Sequence, residues 1–99
     1  TQYLIKMTNI LGRHEIKLER RVSEYFVQNC FVFVEADEGP SDLYVQRFGD
    51  DNVAFSTDYP HPDAKFPHAV ERFLTLPLSD ATRRKFLWDN CARLYGLPD

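Results

Sequence analysis

The chain has 99 residues, 43% of them hydrophobic and 27% charged, and its 12 Lys and Arg against 15 Asp and Glu give a net charge of −3. This composition is typical of a globular protein and excludes wholesale disorder, and the length allows one small domain at most. The mild acidity argues against a nucleic-acid partner, and no apolar run approaches the roughly 20 residues that a membrane span needs.

The first segment predicts a helix. Residues 1–22 form this helical lead-in, with a break expected near Gly12 because glycine weakens a helix interior. Ser23 is the predicted cap of a short turn that runs to Phe26. The apolar residues with helical spacing are Tyr3, Leu4, Met7, Ile10 and Leu11.

A strand and a helix are predicted next. The run Cys-Phe-Val-Phe-Val over 30–34 has no alternating polar positions, which is typical of a strand buried on both faces. Glu35 closes this strand. Ser41 is the predicted N-cap of a short helix with Asp42 in its first turn, and Gly49 ends it.

A second strand of the same buried type is predicted over 53–57, with Asp58 at its carboxyl end. The loop 59–63 is too rich in proline to continue a strand or a helix. A helix is then expected to begin around Phe66-Pro67 and to stop at Pro77. Its predicted buried face carries Phe66, Val70, Phe73 and Leu74.

The last predicted helix begins after Ser79, a good N-cap, with Asp80 in its first turn, and ends at Gly96. Its predicted buried stripe carries Phe86, Leu87, Asn90, Cys91, Leu94 and Tyr95.

Strands that alternate with helices predict right-handed βαβ connections and a parallel sheet, so the fold class is α/β. Two strands alone leave both sheet edges unpaired, so neighbouring strands are expected from outside these residues. The alternative is a third strand hidden in the N-terminal segment.

Asp58 is the strongest candidate for a functional residue. Parallel α/β folds place their catalytic groups at the carboxyl ends of strands, and a carboxylate there can bind a divalent cation. His61 follows in the same loop and could join Asp58 and Asp63 in a small site of oxygen and nitrogen donors. The alternatives are a turn carboxylate for Asp58 and a backbone-bonded loop histidine for His61.

Glu35 also ends a predicted strand, so it could share a cleft with Asp58 as a paired carboxylate, or it could lie on the surface in an acidic turn. His68 is expected to face solvent on the first turn of a helix. Cys30 and Cys91 are expected to be buried thiols of a reducing, cytoplasmic compartment. The basic runs Arg20-Arg21 and Arg83-Arg84-Lys85 are interpreted as solvated helix faces.

The motif Ser-Thr-Asp-Tyr-Pro-His-Pro over 56–62 resembles the Ser-Asp-Tyr-Pro-His signature of the amidohydrolase-related family, which includes aminocarboxymuconate-semialdehyde decarboxylase and γ-resorcylate decarboxylase. Residues 23–32 resemble the stretch that enters the family's seventh barrel strand. Residues 89–97 resemble its closing helix, with the pattern Asn-x-x-Arg-Leu-Tyr. The resemblance runs from about Ser23 to Leu97.

This resemblance implies the C-terminal part of a metal-dependent (β/α)₈ TIM barrel, with Cys30–Glu35 as strand seven and Val53–Asp58 as strand eight. In the family, the Asp at the end of strand eight binds the catalytic metal, usually zinc, so Asp58 is the implied metal ligand and catalytic residue. His61 would support it. The implied segments are 1–22 as a helical lead-in, 23–49 as strand seven with its helix, 50–78 as strand eight with the site loop and a helix, and 79–99 as the closing helix.

The family's His-x-His pair and its later histidines have no counterpart in this chain, and a complete barrel takes about 250 residues. The resemblance therefore implies a C-terminal fragment, inactive alone, of a metal-dependent enzyme that hydrolyses or decarboxylates a small carboxylate or aromatic substrate. Its expected partners are the missing barrel half or a second copy, with neither nucleic acid nor membrane.

Two other interpretations remain open. One is a non-catalytic α/β interaction domain that self-associates through its open strand edges. The other is a small metal-binding module formed by Asp58, His61, Asp63 and His68.

Overall fold

The computed structural model describes residues 18–98, which divide into two units, one ending at Cys30 and the other beginning at Phe31. In the first unit, helix α1 spans Val22–Asn29. The Arg21 N–H donates a hydrogen bond of 2.7 Å to Glu24 Oε2, which satisfies an amide at the start of this helix.

Helix α1 corrects the prediction of a short turn capped by Ser23, because Ser23 lies inside the helix and the acceptor at its start is the Glu24 carboxylate. Residues 18–21 lie outside any helix. The rest of the predicted helical lead-in, residues 1–17, lies outside the described part of the chain.

The second unit contains a two-stranded parallel sheet. Strand β1 is Val32–Val34 and strand β2 is Val53–Phe55, with Val32 opposite Val53. Helix α2, Ser41–Phe48, connects the strands. The predicted order of strand, helix and parallel strand is thus confirmed, and each strand is shorter than its apolar run.

Helix α2 begins one residue earlier than predicted. Pro40 is its N-cap and Ser41 is its first residue, with the Ser41 hydroxyl donating to Glu38 O at 2.6 Å. Gly49 ends the helix as predicted, since its N–H donates to Val45 O at 2.9 Å and its φ of 83° favours glycine.

Four helical stretches follow β2, and the last three are continuous with one another. Helix α3 spans Ala69–Phe73, and the last helix consists of α4 (Asp80–Arg84), a π-helical segment π1 (Lys85–Asp89) and α5 (Asn90–Tyr95). Ser79 is the N-cap of α4, as predicted, and its hydroxyl oxygen accepts a hydrogen bond of 3.1 Å from the Thr82 N–H. Gly96 is left-handed and ends α5, also as predicted.

Helix α3 does not begin at Phe66-Pro67. The chain first makes a turn closed by a 2.7 Å hydrogen bond from the His68 N–H to Lys65 O, so the helix starts at Ala69. Its buried face is correspondingly different. Ala69 and Phe73 are buried four residues apart, whereas the predicted face members Phe66, Val70 and Leu74 are exposed.

The core lies on one face of the sheet, between the sheet and the helices. Phe33 points to the other face and is 46% exposed, so the prediction that both faces of the first strand are buried is wrong for the described residues. Ala54, its neighbour in β2, is fully buried. The buried core residues are Val34, Val53, Phe73, Leu76, Leu78 and Phe86.

Three further predictions need correction. Cys30 is exposed because it caps the end of α1 and the strand begins only at Val32, while Cys91 is partly buried. The basic run 83–85 is not a purely solvated face, because Arg83 donates to Leu76 O at 3.0 Å and Lys85 binds two carboxylates. In the last helix, Leu87, Leu94 and Tyr95 are exposed.

A polar network ties the turn before β2 to the last helix. The Asp50 carboxylate accepts hydrogen bonds from Lys85 Nζ at 2.6 Å and from the Thr82 hydroxyl at 2.8 Å. The buried Asn90 amide donates to Asp50 O at 2.7 Å and to Val53 O at 2.6 Å. The start of β2 is therefore held by residues more than 30 positions later in the chain.

This network predicts a specific acid sensitivity. Partial burial raises the pKa of Asp50, but the hydrogen bonds from Lys85 and Thr82 outweigh it and leave the pKa below its ordinary value. Because the folded-state pKa is the lower one, the stabilisation is present above about pH 4, the unfolded value, and is lost as the pH falls through the folded value.

We therefore expect Asp50→Asn to lower the free energy of unfolding at pH 6 by about 1–2 kcal/mol and to flatten its decline below pH 4. Urea unfolding at a series of pH values measures both effects. An unchanged pH profile in Asp50→Asn would show that the acid sensitivity comes from other carboxylates.

Within residues 18–98, no helix is long and apolar enough to cross a membrane.

Candidate metal site

Asp58 lies three residues after β2, where the chain turns sharply away from the sheet. Its φ is 53°, the left-handed region that Asp tolerates better than most residues, and its N–H donates to the Ser56 hydroxyl at 3.2 Å. Among the described residues, Asp58 is the one residue other than glycine with a positive φ. The backbone thus presents this carboxylate at the carboxyl end of the sheet, as the sequence predicted.

Backbone hydrogen bonds fold the following loop back on Asp58. The His61 N–H donates to Asp58 O at 2.9 Å, and the Ala64 N–H donates to His61 O at 3.1 Å. The peptide bond between Tyr59 and Pro60 is cis. These turns bring the side chains of Asp58, His61 and Asp63 together.

The three side chains offer one oxygen or nitrogen each, and these donor atoms lie within 4.8 Å of one another. His61 Nδ1 is 3.7 Å from Asp58 Oδ2 and 3.9 Å from Asp63 Oδ1. Donor atoms on a tetrahedral zinc ion, about 2.1 Å from the metal, are about 3.4 Å apart. Small side-chain movements would therefore place all three on one divalent cation.

The chemistry and accessibility of these donors also suit a metal. Two carboxylates and an imidazole are common ligands of zinc and manganese. The Asp58 side chain is 35% exposed, against 70% for His61 and 79% for Asp63, so the group opens to solvent on the side of the loop. The residues present fit a divalent cation, with Asp58 as the most buried of the three donor residues.

Glu35 lies just beyond β1, next to the extension of β2, because the Ser56 N–H donates to Val34 O at 2.9 Å. Partial burial raises the pKa of Glu35, and the negative charges of Asp58 and Asp63 raise it further. The charges of Asp58 and Asp63 therefore act on Glu35, but Glu35 is not one of the three residues whose donor atoms meet.

His68 is exposed near the start of α3, as expected, and its Nδ1 is 2.7 Å from Glu71 Oε2. It is not a member of the group formed by Asp58, His61 and Asp63. The interpretation of a four-residue module that includes His68 is therefore wrong, and the structure unites its other three members.

Sequence reasoning missed a lysine side chain that joins two loops. Lys65 Nζ donates to Asp63 O at 3.1 Å and lies 3.6 Å from Asp37 Oδ2. Arg72 NH1 lies 3.8 Å from the same Asp37 oxygen. The loops that follow β1 and β2 are thus linked beside the candidate ligands. The only sequence signal was an acid after one strand and bases after the next.

Comparison with known proteins identifies the family. The family model described as amidohydrolase matches residues 11–97, nearly the whole chain. This chain belongs to the amidohydrolase family. The resemblance inferred from the motif at 56–62 is confirmed, and the amidohydrolase family implies a TIM barrel, of which parallel strands joined by helices are the building units.

Curated relatives of this amidohydrolase-family chain include two decarboxylases. It is 28% identical over 81 residues to γ-resorcylate decarboxylase of Polaromonas sp. strain JS666 and 33% identical over 81 residues to that of Rhodococcus jostii strain RHA1. In each case the match covers 80% of this chain and 24% of the relative, so the matched region is about a quarter of the relatives' length. No solved structure matches the chain significantly.

Proposed function

We propose that this chain supplies Asp58 as a metal ligand to an amidohydrolase active site that hydrolyses or non-oxidatively decarboxylates a small carboxylate or aromatic substrate. The observation that carries this proposal is the convergence of Asp58, His61 and Asp63 at the carboxyl end of β2, with donor atoms within 4.8 Å of one another. Catalytic groups of parallel barrels lie at this end of the strands.

Each residue has a distinct role in the proposed site. A divalent metal, for which we propose zinc, would supply Lewis-acid polarisation of a substrate oxygen. Asp58, fixed by its left-handed backbone and by Ser56, is the anchoring ligand, and His61 and Asp63 add donors from the loop. Glu35, just beyond β1 and beside the extension of β2, is proposed for a supporting role outside the donor group.

Both relatives are named γ-resorcylate decarboxylase, which favours decarboxylation over hydrolysis. The match covers 24% of each relative, which bears on whether this chain holds a complete active site. We propose that further barrel strands, from the remainder of a longer protein or from a second copy, cover the open edges of β1 and β2, and that the isolated chain is inactive. The exposed Phe33, on the sheet face opposite the core residues Val34 and Val53, supports such a covering partner.

The metal site is tested by Asp58→Asn, which keeps the size of the side chain and tolerates the left-handed backbone but removes a charged ligand. The wild-type chain is expected to bind one equivalent of zinc in a calorimetric titration, and Asp58→Asn is expected to weaken binding at least tenfold. Asp42→Asn in α2 removes the same charge outside the metal-donor group and is the matched control.

Equal zinc affinities for Asp58→Asn and the wild-type chain would exclude Asp58 as a ligand. Turnover of a substrate by the isolated chain would contradict the proposal that further strands are needed.

A second candidate function is a non-catalytic interaction domain, favoured by the exposure of Phe33 in a sheet that has two strands within residues 18–98. The same titration distinguishes it from the metal site, because association through strand edges needs no metal.

A further inference from the structure

Lys65 links Asp37, in the loop after β1, to Asp63, one of the three metal-donor residues. Lys65 extends from the loop after β2, is partly buried, and places its ammonium group between a backbone carbonyl of its own loop and a carboxylate of the loop after β1. Such a bridge costs side-chain entropy, so its effect depends on what it holds in place.

What it holds is the backbone of a candidate ligand. The 3.1 Å hydrogen bond from Lys65 Nζ reaches the carbonyl of Asp63, whose side chain is 3.9 Å from His61. The two turns closed at Asp58 O and His61 O secure the first part of the loop, and the Lys65 bond secures the part that carries Asp63. Asp37 fixes the ammonium end at 3.6 Å.

We propose that Lys65 is a positioning residue for the metal group, anchored by Asp37, which keeps Asp63 turned toward Asp58 and His61. This inference rests on the proposed metal site and names the device that organises it. Residues that orient metal ligands without touching the metal commonly contribute about 10-fold to 100-fold to affinity.

The loss of Lys65 should tighten metal binding if only its charge matters and weaken it if its positioning of Asp63 matters. This difference makes the inference testable. If Lys65 acted only through its positive charge, its removal would reduce repulsion and tighten the binding of a cation. Asp37 lies close enough to offset most of that charge, so we expect the loss of position to dominate and binding to weaken.

The experiment is a cobalt(II) titration of the full chain, followed by visible absorption, with zinc competition for the affinity. Lys65→Met keeps the aliphatic stem, and we expect its dissociation constant to rise about tenfold with a changed cobalt spectrum. Lys65→Arg retains a donor and should restore most of the affinity. Asp37→Asn, which removes the anchor but leaves the ammonium group, should lose affinity to a smaller extent.

Arg72→Met is the matched control, because Arg72 approaches the same Asp37 oxygen at 3.8 Å without a hydrogen bond to the Asp63 carbonyl. We expect its cobalt affinity to stay within twofold of the wild-type value. Urea unfolding of each variant separates a local effect on the site from a loss of the fold, and Lys65→Arg and Asp37→Asn keep the test decisive if Lys65→Met unfolds.

The outcomes distinguish this inference from the proposed function. Wild-type binding that Asp58→Asn weakens but Lys65→Met leaves unchanged or tightens would overturn the positioning role and leave the metal site standing. A wild-type chain that binds neither cobalt nor zinc would overturn both.

Discussion

Phe86→Ala is expected to lower the free energy of unfolding by about 3–5 kcal/mol, the usual cost of removing a fully buried aromatic ring. Phe86 lies in π1, is completely buried, and has its ring centroid 6.0 Å from that of Phe73 in α3. Small domains have total stabilities of about 5–15 kcal/mol, so this single change would remove a large part of the margin. Urea unfolding followed by circular dichroism measures the loss.

Leu87→Ala is the control for that prediction, because the next residue of π1 is 37% exposed. It should lose about 1 kcal/mol, because folding buries less apolar surface at this position. Similar losses of unfolding free energy for Phe86→Ala and Leu87→Ala would mean that π1 does not pack against the core as described.

Asn90→Ala is expected to cost about 2–4 kcal/mol, because one buried amide group donates to two backbone carbonyls, those of Asp50 and Val53. The alanine would leave both oxygens without this donor in a place that water reaches poorly, as Asn90 is 2% exposed. The midpoint of urea unfolding at neutral pH measures the change.

Asn90→Asp keeps the shape of the side chain but replaces the amide donor with a carboxylate that faces two carbonyl oxygens. At neutral pH we expect it to be more destabilising than Asn90→Ala, because a buried charge would then lack a partner. Burial raises the pKa of such a carboxyl in the folded state, so protonation at low pH should reverse part of the loss. An Asn90→Asp variant as stable as the wild-type chain at pH 7 would contradict the assigned hydrogen bonds.

Local signals in the sequence predicted several elements well. The caps at Gly49, Ser79 and Gly96 depend on backbone preferences of single residues, and the structure confirms all three. The order of strand, helix and parallel strand follows from apolar runs separated by helical segments, and it is also confirmed. Asp58 was singled out because it ends an apolar run, and that placement depends on chain order alone.

The remaining errors involve contacts between distant segments or competition between local conformations. Pro67 suits the first position of a helix, but the turn between Lys65 and His68 takes precedence and delays α3. The apolar run at 30–34 could not show that Phe33 would remain exposed, because burial depends on what covers each face of the sheet. The bridge between Asp37 and Lys65 forms only because β1 and β2 are neighbours, which single-residue preferences do not encode.

The bonds of Asn90 bear on how variants of the last helix should be interpreted. The Asn90 amide donates a hydrogen bond to the carbonyl of Val53, the first residue of β2. Asp58 lies only five positions farther along this short strand and its extension. The location of the candidate ligand is therefore determined partly from the opposite end of the strand, by a helix that is absent from the donor group. A substitution in α5 that reduces metal affinity would be expected to act through strand placement, and it would not by itself make the helix part of the coordination sphere.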